Sequence, residues 1–297
     1  MPSPLHSVVG RSLTQIGVDR ALPRTRAQVD DLREQLATGL RVRRASDDPG
    51  SYGQARRLEQ VESRLTQVER GLGLADLWSN RTQDELDAVS TLFAEAYETG
   101  LRAANGVVDL EPLAAKTESL RSEVIDRLNA QSDGEYLFAG NQTRTQPLQA
   151  DGTLAAGDFS GQREREIAPG ITLAVNIPGS DALMIDGEAA PARLQALADA
   201  IRGGDPTVIR DALESVGAGR DHYIDLGARA GTTAQRLDAA RSGLEAQKLY
   251  TAEARSEAED ADVVEVLGAL ERQQAALEAA LRATAASIQP SLMDYLR

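Results

Sequence analysis

The apolar positions between Val263 and Ile288 are separated alternately by four and three residues: Val263, Leu267, Leu270, Gln274, Leu277, Leu281, Thr284 and Ile288. That rhythm draws a single stripe along one side of a helix, and the glutamates and arginines between its members fall mainly off it. Isolated helices are marginal in water, and each buried leucine contributes roughly 1.5–3 kcal/mol relative to an exposed one. The stripe therefore demands a cover. The first forty residues offer one, because Val9, Leu13 and Ile16, and later Val29, Leu32 and Leu36, recur at helical spacing. Pro23 between the two sets is expected to break or delay the helix.

The same rhythm organises the middle of the chain. Leu58, Val61, Leu65, Val68, Leu72 and Ala75 keep it, followed by Thr82, Leu86, Val89, Phe93 and Ala96, which predicts one long helix from about Pro49 to about Ala104. Asn105-Gly106 marks a turn, and Pro112 suits the first position of a second helix carrying Leu113, Thr117, Leu120, Val124 and Leu128. A returning helix carries Val216, Tyr223, Leu226, Ala230, Thr233, Leu237, Ala240, Leu244 and Gln247, although glycines interrupt its first turns. Gly39 is placed just past a helix end, and Asp48-Pro49 reads as an N-cap with a first-turn proline. Leu40 to Asp47 is then an ordered connection, and it carries Arg41, Arg43 and Arg44.

Between Gly140 and Pro191 the helical rhythm stops. Ile171, Leu173, Val175 and Ile177 alternate with Thr172, Ala174 and Asn176, and Ala168-Pro169-Gly170 would reverse the chain from an earlier strand near Arg163 to Ile167. The expected fold is mainly α: a long antiparallel helical bundle built from both chain ends, with a small β-rich insert. Residues 1–44 with 258–297 would form a terminal coiled-coil assembly domain, 45–140 with 192–257 a helical rod, and 141–191 the insert.

Composition narrows the function. Aromatics make up 3% of the 297 residues, which favours thin helical packing over a thick aromatic core. Forty-six acidic side chains against 32 basic ones leave a formal charge of −14, which repels phosphate backbones and anionic headgroups, so nucleic acid is a poor partner. No stretch approaches the length of a membrane span, and the opening residues lack a basic region followed by an apolar core, so membrane insertion and the usual secretion route are disfavoured. The absence of cysteine removes disulfides, thiol catalysis and thiolate metal sites.

Four segments resemble the flagellin superfamily, and within it the hook-associated junction proteins. Leu36-Ala37-Thr38-Gly39-Leu40-Arg41-Val42-Arg43-Arg44-Ala45-Ser46-Asp47-Asp48-Pro49 is similar to the family's pattern of a leucine helix end, a Ser/Thr-Gly step, a basic patch and a Ser-Asp-Asp-Pro helix start. Gly134-Glu135-Tyr136-Leu137-Phe138-Ala139-Gly140 resembles a phrase of the junction members, where flagellins usually differ. Leu226-Gly227-Ala228-Arg229 followed by Leu237 looks like the start of the returning helix. Gln273-Gln274-Ala275-Ala276-Leu277 through Ser291-Leu292-Met293-Asp294-Tyr295-Leu296 resembles the C-terminal assembly helix and its ending.

The resemblance implies a secreted, non-enzymatic structural subunit, exported unfolded through the flagellar type III apparatus and guarded by an export chaperone. It would polymerise with itself as a ring at the hook–filament junction, between the first hook-associated protein and flagellin, with no cofactor. The assembly interface would use Val9, Leu13, Ile16, Val29, Leu32, Leu36, Val263, Leu267, Leu270, Gln274, Leu277, Leu281, Ile288, Leu292 and Leu296. Arg41, Arg43, Arg44, Asp47 and Asp48 would form an inter-subunit loop, with the arginines facing Glu257, Glu259, Asp260 and Asp262 of a neighbour. The two terminal stripes are expected to be poorly ordered in the monomer and to fold together when subunits dock.

Three other classes stand beside this one: a filament-forming flagellin, a glycan hydrolase and a soluble coiled-coil adaptor. The hydrolase would draw on Glu164, Glu166, Asp181, Asp186 and Glu188, whose spacing is generic. His6 and His222 are the only histidines, too few and too separate to suggest a triad or a metal cluster.

Overall fold

A computed structural model describes the backbone of residues 5–106 and 109–288 and the side chains of residues 22–106 and 109–285. In chain order the elements are α1 (Leu5–Thr38), α2 (Pro49–Ala104), α3 (Leu110–Leu128), β1 (Gln131–Ser132), β2 (Glu135–Tyr136), β3 (Glu164–Ala168), β4 (Ile171–Ala174), α4 (Gly179–Leu183), β5 (Met184–Ile185), β6 (Glu188–Ala189), α5 (Ala190–Gly203), α6 (Pro206–Glu259) and α7 (Val263–Ile288). The fold is mainly helical with small β hairpins, as the periodicity predicts. The chain divides into two compact units, one of residues 1–62 and 249–297, the other of residues 63–248.

Punctuation residues set the helix ends. α1 stops at Thr38 because Gly39 takes a left-handed φ of 73°, and its N–H donates to the Gln35 carbonyl at 2.8 Å. α2 starts at Pro49 under an Asp48 cap, whose Oδ1 accepts from the N–H groups of Gly50 and Ser51 at 3.0 and 3.1 Å. α3 begins two residues before Pro112, under an Asp109 cap that accepts from Glu111 N at 3.3 Å, so Pro112 occupies the third helical position and not the first. Pro23 does not break α1, contrary to expectation. Pro23 itself lies on the exposed side of the helix.

In the unit of residues 63–248, α2, α3, α5 and α6 enclose the main core. Leu86, Val89, Phe93 and Ala96 of α2 meet Leu120, Val124 and Leu128 of α3, Leu194, Leu197 and Ile201 of α5, and Leu213, Val216, Tyr223 and Leu226 of α6. Phe93 and Tyr223 sit with ring centroids 5.3 Å apart, and the Tyr223 hydroxyl donates to the Ala182 carbonyl at 2.7 Å. Full burial pushes that phenol's pKa far above its ordinary value. A smaller cluster joins Leu65, Val68, Leu72 and Ala75 to Leu237 and Leu244, with Val175 closing one end. Across this seam Asp76 pairs with Arg241, and Glu69 with Lys248 at 2.7 Å.

β3 and β4 form the expected hairpin, with Arg165 opposite Leu173 and a bulge between Glu166 and Ala168. Much of the remaining segment from Asn141 to Arg163 is irregular, and side-chain amides hold it. Asn129 both donates to and accepts from the backbone of Leu148, at 2.9 and 3.0 Å, while Asn176 accepts from Arg163 N at 2.7 Å and donates to the Gly161 carbonyl at 3.0 Å. Buried loop backbone needs such partners. The returning helix read from Val216 to Gln247 is α6, opened by Pro206 after Gly204, at φ 73°, ends α5.

Candidate assembly surface

In the unit of residues 1–62 and 249–297, α1 packs on α7 within a single chain. Val29 of α1 and Val266 and Leu270 of α7 are buried, and Gln28 and Gln273 are hydrogen-bonded across the pair. Leu32, Leu36, Gln274 and Leu277 are half-buried. The cover is incomplete. Leu267 and Leu281 are exposed, as is Val263, and Val264 beside the stripe is 82% exposed. The side chains of Val9, Leu13, Ile16, Ile288, Leu292 and Leu296 lie outside the described residues.

The connection after Gly39 is tied to the segment before α7. Glu259 O accepts from the N–H groups of Arg41 and Val42 at 2.7 and 3.1 Å, and the Gly39 carbonyl accepts from Ala261 N at 2.8 Å. Val42 is buried there. Asp262 then caps α7, accepting from Val264 N and Glu265 N at 2.9 and 3.1 Å. The pattern of Asp262 followed three residues later by Glu265 is a local helix-start signal.

The charges expected to face a neighbouring subunit are largely engaged inside the chain. Arg41 donates to the Ala258 carbonyl at 3.0 Å and stands 3.8 Å from Asp48. Arg43 bridges Asp31 and Glu34 of α1, and Glu259 pairs with Arg255. Asp47 accepts from the N–H groups of Arg44 and Arg43, which hold its carboxyl below the usual range. Asp48 is likewise depressed, first by the Ser51 hydroxyl at 2.7 Å and then by the Ser51 N–H. The guanidinium of Arg44 and the carboxylate of Glu257 are exposed and form no ion pair among the described residues.

The carboxylates weighed as a hydrolytic pair serve the hairpins and their neighbours. Glu166 accepts from Gly170 N and pairs with Arg64, Asp181 pairs with Arg229, and Asp186 pairs with Arg193. His222 lies 2.8 Å from the Asp181 carbonyl, and the His6 side chain is outside the described residues. Among the described residues no group of three or more histidine, aspartate or glutamate side chains could hold a metal ion, and no helix is long and apolar enough to cross a membrane.

Residues 13–143 match the model of the bacterial flagellin N-terminal helical region, the stretch that holds most of α1, the Gly39–Pro49 connection, α2 and α3. The chain therefore resembles the flagellin superfamily. Within it, the likeness is to hook-associated proteins. Flagellar hook-associated protein 3 of Escherichia coli strain K12 is 24% identical over 290 residues, covering 89% of this chain and 92% of that one. Flagellar hook-associated protein 3 of Salmonella typhimurium strain LT2 is 31% identical over 134 residues, covering 43% and 42%. A solved structure of a flagellar hook-associated protein from Vibrio parahaemolyticus superimposes with a TM-score of 0.66 at 20% identity, covering 72% of this chain and all of that one.

Proposed function

We infer that this chain is a structural subunit of the bacterial flagellum that joins the hook to the flagellin filament and works outside the cell. The observation that carries the inference is the near end-to-end match with a hook-associated protein 3, over 92% of that relative's length. It covers 89% of this chain, whereas the flagellin model covers only residues 13–143.

The exposed row on α7 supplies the physical means. Val263, Val264, Leu267 and Leu281 leave apolar area in water that α1 does not cover, and burial against neighbouring subunits would recover about 25 cal/mol per Å². Copies of the chain would form a ring through this surface, meeting the first hook-associated protein on one side and flagellin on the other. Before export, a chaperone would shield the same row. The protein's work is mechanical connection, with no catalytic step and no cofactor.

Electron microscopy of cells lacking the gene tests the proposal. Bare hooks with flagellin released into the medium are expected. Normal filaments on those hooks would overturn it.

A further inference from the structure

The unit of residues 63–248 contains an open cleft of about 1050 Å³ whose chemistry runs against the charge of the chain. One wall is a face of α2, where Leu74, Leu77, Trp78 and Arg81 follow helical spacing. Arg144, Arg163 and Arg165 line it as well, with Asp133 and Glu135 as the lining carboxylates, and Arg81 is paired with Glu85 at 2.6 Å, in a chain of net charge −14. Arg163 is engaged: it lies 4.2 Å over the Trp78 ring and donates to Glu135 at 2.8 Å, and Arg144 adds to its pull on that carboxyl. Arg165 is exposed and forms no ion pair among the described residues.

Two features of this cleft lack partners. Leu74 and Leu77 are exposed at 62% and 66%. Trp78 is more than nine-tenths buried, yet its indole N–H has no acceptor. A cleft that sets two exposed leucines beside the guanidinium groups of Arg144 and Arg165 is suited to an acidic segment with an apolar edge.

The chain itself carries such a segment. On α6, Leu249 and Tyr250 are exposed, and Glu253 and Glu257 follow on the same helical face, both exposed and without an ion pair among the described residues. We propose that the Trp78 cleft of one copy receives the Leu249–Glu257 stripe of a second copy. Tyr250 seats against Leu74 and Leu77, while Glu253 and Glu257 meet Arg144 and Arg165. Because cleft and stripe are different patches, the contact is head-to-tail. Repetition then builds a ring or a helical array, whereas a self-complementary patch would close as a dimer. Opposite charge on the two patches selects register and suppresses wrong pairings.

This proposal rests on the chain's role as one of several copies in the flagellum, and its test separates the two. The chain has no cysteine, so L77C and Y250C proteins each carry one thiol. Cells making both variants as their only copies are mildly oxidised, and their hook-and-filament complexes are isolated. A disulfide-linked dimer of one variant with the other is expected, absent when either is made alone. In parallel, the R144E/R165E variant should fail to incorporate, and adding E253R/E257R in the same chain should restore it. Incorporation of both cysteine variants without the mixed dimer would overturn the interface and leave the junction role standing, as would normal incorporation of R144E/R165E. Complete absence of the wild-type chain from purified flagella would overturn the junction role itself.

Discussion

Two glycines on one helix should respond to the same substitution with opposite signs. Gly219 and Gly243 both lie inside α6, where replacing glycine by alanine relieves a helix-propensity cost of about 0.8–1.0 kcal/mol. At Gly243 a new Cβ meets nothing within 4 Å, so the full gain is available. At Gly219 it would stand 2.4 Å from Cε1 and 2.8 Å from Cδ1 of Phe93. To restore ordinary contact, that ring would have to retreat by about 1 Å, and overpacking of this kind costs typically 1–3 kcal/mol. Phe93 has no room to retreat, being wholly buried and held against Tyr223. Gly219→Ala should therefore destabilise by about 0–2 kcal/mol net, while Gly243→Ala stabilises by up to about 1 kcal/mol. Thermal melts followed by circular dichroism read both: at about 2–4 °C per kcal/mol for a unit of this size, Gly243→Ala should melt higher than the parent and Gly219→Ala lower. Equal upward shifts for the two variants would refute the packing of α6 on Phe93.

Arg193 is a second test. It is buried and donates to the carbonyls of Ser215 and Ile185 at 2.9 and 3.1 Å, besides pairing with Asp186. Arg193→Met removes these charge-assisted bonds and should cost about 1.5–3 kcal/mol in all, read as a lower urea midpoint at unchanged slope. Acid should loosen the Gly39–Pro49 connection. The folded-state pKa values of Asp47 and Asp48 are depressed, so their contribution is present above the unfolded carboxylate pKa and lost as pH falls through the lower folded values. Corrected for intrinsic rates, amide exchange of residues 43–52 should quicken below about pH 4, and no change there would contradict the assigned caps.

Much of this architecture could be read from residue order because short-range chemistry decides it. Gly39 and Asp48-Pro49 mark the end of α1 and the start of α2, and the alternation from Ile171 onward marks β4. Gly203-Gly204-Asp205-Pro206 carries an equally local signal for the break between α5 and α6. Other features have no local signature. Asn129 and Asn176 act on backbone 19 and 13–15 residues away, and Arg193 reaches across 22 residues to Ser215. A polar residue whose partner is set by tertiary packing looks like any surface asparagine or arginine in the sequence. The stripe on α7 was legible, but which of its members α1 covers was not. Heptad spacing gives the face of a helix and not the width of its partner, so Leu270, buried against α1, and Val264, exposed beside the stripe, could be sorted only by the packing itself.

The central claim is that the row left open on α7 is completed by neighbouring subunits. Hydrogen exchange of the amides from Val263 to Leu281, measured on the soluble protein and on the same protein in isolated flagella, tests it most directly. The account predicts modest protection in solution that rises by orders of magnitude on assembly. Equal, high protection in both states would contradict it.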